Sequence, residues 1–320
     1  MLRWVCMLIY ALSLTATVTL AQTAPIGSGP YPAIIEGDPG VPGHTIYRPE
    51  NLSPFSPENP MPVVAWGNGG CANSSRMHAN FLAEIASHGF LVAAIGPFDA
   101  SGGASKQGGQ TKSAQLLEAL DWATAENKRS DSKYYGKVDP SRFAAMGMSC
   151  GGLQALEVSP DPRVTTSVIM NSGILNTPFR APKEGFPKAG TPKAGVPKAE
   201  APKEGAPPKM MLVMPEVEKE LLKKLHAPIF YVIGGEKDIA YPNAVDDFAK
   251  IDSVPVAMAN LDVGHGGTYN QPNGGEFGRV AVAWLKWQME GDENAGKMFS
   301  GASCGLCDDA EWKFEKKKTP

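Results

Sequence analysis

Residues 147–152, Gly-Met-Ser-Cys-Gly-Gly, carry the clearest pattern of reactive chemistry in the chain. They match G-x-S-x-G, in which a serine occupies a sharp turn between a strand and a helix. The flanking segments fit that context, because 142–148 reads as a buried strand and 151–157 reads as a helix. The glycines permit the tight turn and hold the Ser149 hydroxyl exposed at the end of a sheet. The pattern therefore predicts a nucleophilic serine.

A nucleophilic serine requires a base and an acid that orients the base. His265 stands in a glycine-flanked loop directly after a late strand-like segment, and Asp238 follows the strand-like segment before that one. The carboxyl ends of parallel strands meet at one edge of the sheet, where such folds place their sites. We predict that His265 accepts the Ser149 proton and that Asp238 orients the imidazole, with Glu236 as the alternative acid.

Acyl transfer also requires hydrogen-bond donors for the oxyanion that develops on the substrate. One should be the backbone N–H of Cys150, which directly follows the nucleophile. The other should come from the loop 67–71, Gly-Asn-Gly-Gly-Cys, where glycines allow a close approach to the substrate. We favour the N–H of Gly70, with Cys71 second. The alternative interpretation of this loop is an ordinary glycine-rich turn.

The N-terminal residues 1–21 have the features of a secretory signal. Arg3 supplies the positive charge, and an apolar run extends from Val5 to Leu14. Small residues precede the expected cleavage before Gln22. The run is short for a membrane-spanning helix, so an uncleaved anchor is the less favoured alternative.

Cleavage would remove Cys6 and leave four cysteines, which in an exported protein favours disulfides with three possible pairings. Cys71 and Cys150 lie on the two loops expected to form the oxyanion hole, so a disulfide between them would brace it. Two buried thiols, or crossed pairing with the tail, are the alternatives. Cys304 and Cys307 form a Cys-x-x-Cys pair, which favours a local staple over a redox pair or half of a zinc site.

The elements that must position these residues alternate between strand-like and helix-like segments from residue 62 onward. This alternation favours a mostly parallel sheet with helices on both faces. Residues 31–47 predict an antiparallel hairpin at one edge. The predicted strands are 62–66, 90–95, 142–148, 164–170, 229–233 and 256–261, and the predicted helices are 77–88, 111–128, 151–157, 217–225, 243–251 and 276–290.

A five-residue repeat that begins with Pro-Lys occupies residues 181–209. Proline at every fifth position excludes helix and central strand, so we predict a disordered, solvated insertion. It interrupts a single domain, 22–320, which ends in the Cys-x-x-Cys tail 300–320. We favour a tolerated surface insertion; a tether to an acidic polymer is the alternative.

Composition excludes several classes of protein. The net charge of −3 provides no basic surface for nucleic acid. The hydrophobic content of 42% excludes a wholly disordered chain, and the pattern does not fit a multi-span membrane protein. No metal or organic cofactor is implied.

These stretches together resemble the α/β-hydrolase superfamily, and within it the secreted dienelactone-hydrolase-like and cutinase or polyester-hydrolase-like serine esterases. The order Ser149, Asp238, His265 is the order of that superfamily. Two departures are Cys150, where these enzymes often carry Met, and Asn68, where many carry His. The stretch between Ser149 and Asp238, once the insertion is set aside, is too short for a large cap domain. The segments that carry the resemblance are 63–70, 86–90, 138–142, 147–152, 234–238 and 264–266.

The resemblance implies a secreted or periplasmic serine hydrolase that cleaves small or polymeric carboxylic esters through an acyl-enzyme. No stable membrane insertion is expected after signal cleavage. One alternative is a prolyl-oligopeptidase-like serine peptidase, a branch that shares G-x-S-x-G-G. The other is a non-catalytic module on the same fold that binds cell wall or acidic polymer through the repeat.

Overall fold

The computed structural model of the protein describes residues 26–99, 110–177 and 214–318. The predicted signal 1–21 and the Pro-Lys segment 181–209 lie outside the described residues. The strands in these ranges are β1 (Ala33–Gly37), β2 (His44–Pro49), β3 (Met61–Gly67), β4 (Leu91–Ile95), β5 (Val138–Met148), β6 (Val164–Met170), β7 (Ile229–Ile233), β8 (Val256–Leu261) and β9 (Trp312–Lys317).

The strands form one sheet in the order β1-β2-β4-β3-β5-β6-β7-β8-β9. The six central strands, from β4 to β8, pair in parallel. The two outer strands at one edge and β9 at the other edge pair antiparallel. The prediction of a mostly parallel sheet is confirmed, and the N-terminal hairpin is observed as β1 and β2.

Helices cover both faces of the sheet. Successive strand residues point to opposite sides, so these apolar strands present side chains to a core on each face. In β3, Val63 and Ala65 belong to one core, whereas Val64 and Trp66 belong to the other. The first core packs under α2, α3 and α4, and the second packs under α1 and α5. The helices are α1 (Ala79–Ser87), α2 (Ala114–Lys128), α3 (Cys150–Val158), α4 (Tyr241–Lys250), α5 (Gly275–Glu290), α6 (Glu293–Gly296) and α7 (Gly305–Asp308).

The predicted helix 217–225 is wrong. The chain forms only a short 3₁₀ helix there, Lys219–Lys224. Leu222 and Leu225 are the buried apolar residues of this segment. Leu222 lies within this 3₁₀ helix and Leu225 is the extended residue directly after it, so the segment buries only two apolar side chains and does not continue as an α-helix.

The C-terminal tail extends the sheet, which the sequence pattern did not predict. Strand β9 pairs with β8 in antiparallel register, with Trp312 opposite Leu261. Within the described ranges, no helix has the length and hydrophobicity needed to cross a membrane.

Candidate active site

Ser149 is the single residue between the end of β5 at Met148 and the start of α3 at Cys150. Its backbone has φ 54° and ψ −117°, a conformation that costs energy for any residue with a side chain. The Ser149 N–H donates to the Met170 carbonyl at 2.9 Å, and its carbonyl accepts from Ser172 Oγ at 2.7 Å. The adjacent strand β6 and the loop after it therefore hold the strained turn in place.

Two glycines, Gly147 and Gly151, allow the first turn of α3 to pack against the ends of β3 and β5. A Cβ on Gly151 would lie 2.1 Å from the carbonyl carbon and oxygen of Gly67. A Cβ on Gly147 would lie 2.2 Å from the carbonyl oxygen of Gly151. Since real Cβ atoms do not approach backbone this closely, only glycine permits the first turn of α3 to lie against both strands.

The residue predicted as the base lies within hydrogen-bond distance of both the predicted nucleophile and the predicted acid. His265 Nε2 is 3.0 Å from Ser149 Oγ, and His265 Nδ1 is 2.6 Å from Asp238 Oδ1. Asp238 is 1% exposed. The alternative acid Glu236 instead forms an exposed ion pair with Lys313. The geometry therefore favours Asp238 over Glu236 as the partner of the imidazole.

The Asp238 carboxylate has a donor on each side. Oδ1 also accepts the Ala240 N–H at 2.9 Å, and Oδ2 accepts Asn171 Nδ2 at 2.7 Å and the Gly234 N–H at 3.0 Å. Burial by itself raises the pKa of Asp238, but the bonds from His265, Ala240 and Asn171 outweigh burial and lower this pKa below its ordinary value. The group is therefore a carboxylate at neutral pH.

The charge on Asp238 determines the tautomer of the neutral imidazole. A carboxylate only accepts, so His265 Nδ1 carries the hydrogen and donates it. The unprotonated Nε2 then faces the Ser149 hydroxyl. This is the arrangement in which an imidazole can remove a proton from a serine as it attacks a carbonyl.

The loop after β3 lies beside the turn that carries Ser149. Cys71 and Cys150 form a disulfide with their Cα atoms 5.1 Å apart. The N–H of Cys150 begins α3, so it has no acceptor within its own helix. The N–H of Cys71 is already donated to the Asn68 carbonyl at 3.1 Å. A Cβ on Gly70 would meet nothing within 4 Å, so this loop faces open space there, and Gly70 is the better candidate donor.

Asn68, which stands where many related enzymes carry His, anchors this loop. Its Oδ1 accepts Trp66 Nε1 at 3.1 Å. Its Nδ2 donates to the carbonyls of Ile95, at 2.7 Å, and Ala72, at 2.9 Å. The side chain is thus fully engaged in linking the ends of β3 and β4.

Cys304 and Cys307 form a second, local disulfide in the tail. Cys304 caps the short helix α7, because its Sγ accepts the Cys307 N–H. In the described part of the chain, no group of three or more His, Cys, Asp or Glu residues could hold a metal ion.

Two residues of the site were not predicted from the sequence. Asn171 directly follows β6, and Tyr269 lies four residues after His265. The Tyr269 hydroxyl donates to Asn171 Oδ1 at 2.5 Å, next to the bond between Asn171 and Asp238. The position of Asn171 at the carboxyl end of a central parallel strand was the available signal.

The mostly parallel sheet and the loops that converge at its carboxyl edge define an α/β-hydrolase fold. Residues 28–180 match the family model described as PETase, PET hydrolase-like, which confirms over that range the resemblance to polyester-hydrolase-like enzymes. The matched region includes Ser149 and the loop after β3, and it ends before Asp238 and His265. No curated protein matches the chain. The family match supports an ester hydrolase.

Proposed function

We propose that the protein is a serine hydrolase that cleaves carboxylic esters through an acyl-enzyme. The observation that carries this proposal is the continuous chain of hydrogen bonds from Asp238 through His265 to Ser149. The strained turn at Ser149 supports it, because backbone strain in an ordered structure is characteristic of functional sites.

In the first half of the reaction, Ser149 Oγ attacks the ester carbonyl carbon while His265 Nε2 takes the hydroxyl proton. Asp238 stabilises the resulting imidazolium. The carbonyl oxygen becomes an oxyanion, and the N–H groups of Cys150 and Gly70 donate to it. When the tetrahedral intermediate collapses, His265 returns the proton to the leaving alkoxide, and the alcohol departs.

In the second half, a water molecule takes the place of the alcohol. His265 removes a proton from the water as the water oxygen attacks the acyl carbon. The same two N–H groups stabilise the second oxyanion. Collapse of this intermediate releases the carboxylic acid and restores the Ser149 hydroxyl with the proton that His265 held.

The substrate class that fits best is a bulky or polymeric ester. The His265 side chain is 28% exposed, so the reacting atoms lie near the surface rather than in a closed chamber. The matched family is described as PET hydrolase-like, which supports a polymeric ester as the substrate class. A shallow site can bind an ester group of a molecule that is too large to enter a closed pocket.

We further propose that the chain is exported, with residues 1–21 as a cleaved signal and 22–320 as one hydrolase domain interrupted at 181–209. The two disulfides support this proposal, because disulfides persist in oxidising compartments. N-terminal sequencing of the protein recovered from outside the cytoplasm tests it, with Gln22 as the expected first residue.

The activity is tested by fluorophosphonate labelling and by hydrolysis of a short p-nitrophenyl ester. We expect wild type to be labelled and active, and Ser149→Ala to lose both properties. Ser141→Ala is the matched control, because Ser141 lies on the same strand, near its amino end, and is exposed. It should behave as wild type.

A folded wild type that is neither labelled nor active would overturn the esterase proposal. Binding of an acidic polymer that depends on 181–209 would then favour the non-catalytic module. Labelling together with cleavage of peptides, but not of esters, would favour the peptidase.

A further inference from the structure

We propose that Asn171 and Tyr269 are positioning residues that hold the Asp238 carboxylate in register with His265. This inference rests on the proposed function. Neither residue touches the reacting atoms, so each would act through Asp238. The two residues form a relay from the loop of the base, through the loop after β6, to the acid.

The Asn171 side chain is held from both ends. Its backbone has φ 44°, which Asn tolerates better than most residues, and its N–H donates to the Val232 carbonyl at 2.8 Å. The amide oxygen accepts from Tyr269, and the amide nitrogen donates to Asp238 Oδ2. Asn171 is fully buried, so water does not compete for either bond.

The Asp238 carboxylate determines which way the Asn171 amide faces, and the Tyr269 hydroxyl holds the other end of the amide. Burial and the nearby charge of Asp238 keep the pKa of Tyr269 well above its ordinary value, so the hydroxyl retains its proton. Because a carboxylate only accepts, the amide nitrogen faces Asp238, and the amide oxygen then accepts the proton of the Tyr269 hydroxyl. The reversed amide would set its oxygen against a carboxylate, with no hydrogen between them.

The relay closes a ring that includes the base. Tyr269 follows His265 by four residues on one loop. The bonds from His265 to Asp238, from Asp238 to Asn171 and from Asn171 to Tyr269 return to that loop. The loop that carries the base is therefore connected to the acid both through the imidazole and through the relay.

Aromatic packing fixes the position of the tyrosine ring. Its centroid lies 5.0 Å from that of His78, 5.3 Å from Phe81 and 5.4 Å from Phe277. Burial lowers the pKa of His78 to about 4, so this neighbour is neutral at neutral pH. The aromatic neighbours thus hold the ring, and the hydroxyl of Tyr269 points toward Asn171.

Tyr269→Phe removes the hydroxyl and keeps the ring. We expect kcat to fall about tenfold with KM unchanged, because one hydrogen bond that orients the charged acid is lost. The low-field proton resonance of the hydrogen between His265 Nδ1 and Asp238 should shift or broaden. Tyr134→Phe is the matched control. Tyr134, which lies shortly before the start of β5, is also buried, and its hydroxyl donates to Glu36. It should leave kcat and the resonance unchanged.

A double-mutant cycle separates the relay from a general packing role. Asn171→Gly keeps the left-handed backbone accessible and deletes the amide. If Tyr269 acts through Asn171, Tyr269→Phe should have no further effect on kcat in the Asn171→Gly background. Independent, multiplicative effects would overturn the relay.

The outcomes distinguish failure of the relay from failure of the proposed function. If Ser149→Ala is inactive but Tyr269→Phe matches wild type in kcat and in the proton resonance, the relay is wrong and the esterase stands. If wild type itself is inactive, the resonance still tests the relay: a signal that is present in wild type and unaltered in Tyr269→Phe overturns it.

Discussion

The two halves of the candidate active site are held by different kinds of force. The nucleophile side is fixed by backbone contact and a covalent bond, through Gly147, Gly151 and the Cys71–Cys150 disulfide. The acid and base side is fixed mainly by hydrogen bonds to the Asp238 carboxylate, from side chains and from backbone N–H groups. The tip of the base loop is open, since a Cβ on Gly264 or Gly266 would meet nothing within 4 Å, whereas Gly234 of the acid loop packs closely against the Gly264 carbonyl.

This difference indicates which changes each half tolerates. The turn at Ser149 depends on shape, so added volume or a cut cross-link should disturb it. The loops of Asp238 and His265 depend on donors, acceptors and charge, so they should respond to isosteric substitution and to pH. A serine in a strained conformation needs a rigid support, whereas a base that shuttles protons needs correct polarity around it.

The largest expected effect falls on the acid and base side. Asp238→Asn should lower kcat about 10⁴-fold with the fold intact, because a neutral amide permits the wrong imidazole tautomer. Steady-state hydrolysis of the p-nitrophenyl ester measures it. Glu236→Gln is the control and should have little effect, since Glu236 pairs with Lys313 at the surface. If kcat falls further in Glu236→Gln than in Asp238→Asn, Glu236 is the acid and the assignment is reversed.

The next effect falls on the nucleophile side. Replacing both Cys71 and Cys150 with alanine should lower the free energy of unfolding by about 4.5 kcal/mol, as chain entropy predicts for a cross-link that spans 79 residues. The tail pair, three residues apart, should contribute only about 2 kcal/mol when Cys304 and Cys307 are replaced. Urea unfolding of the two double variants compares them. Equal losses would contradict the view that the first disulfide braces the site.

A single methyl group should also distinguish the two halves. Gly151→Ala places a Cβ 2.1 Å from backbone atoms of Gly67, so we expect it to lower the free energy of unfolding by about 3 kcal/mol. Gly266→Ala adds the same methyl group in open space and should change stability by less than about 0.5 kcal/mol. Thermal unfolding of both variants checks this contrast. Comparable losses would show that the base loop at Gly266 is as tightly packed as the turn at Ser149.

The smallest predicted effect is a dependence on pH. Asp247 of α4 accepts the Ile174 N–H at 2.7 Å and Lys219 Nζ at 2.6 Å, which anchors the loop after β6. Burial raises the pKa of Asp247 to about 6, although these partners oppose the shift. The folded state therefore binds a proton more tightly than the unfolded state. The stabilisation from this protonation is complete below about pH 4 and is lost as the pH rises through 6.

Between pH 4 and pH 7, Asp247→Asn should therefore gain on the order of 2 kcal/mol in free energy of unfolding relative to wild type. Urea unfolding across this range measures the difference. Asp246→Asn is the control, because the pKa of Asp246 is lowered and its pH dependence should have the opposite sign. A flat difference for Asp247→Asn would exclude this group as a source of pH sensitivity.

Local patterns were enough to predict most of the sheet. The predicted strands 164–170, 229–233 and 256–261 coincide with β6, β7 and β8, because each is a short segment rich in β-branched or apolar residues and bounded by turn residues. The same patterns put Ser149, Asp238 and His265 in loops at one edge, where the structure has them in contact. Their catalytic roles stay predictions.

Features that depend on contacts between distant residues were not predictable in this way. Asn171 and Tyr269 are 98 residues apart, and neither belongs to a local motif from which the bond between them could be predicted. Strand β9 carries four charged residues in six, so its pattern is typical of a solvated segment. It forms a strand because its backbone pairs with the free edge of β8.

That tail strand has a consequence for solubility. Strand β8 is buried along its whole length, and its outer backbone groups pair with β9. The lysines of β9 place charge on what becomes the outermost strand of the described sheet, which discourages pairing with another chain. A protein truncated before Trp312 would present the unpaired apolar edge of β8. We expect such a truncation to aggregate through edge-to-edge association of sheets, even with Ser149, His265 and Asp238 intact.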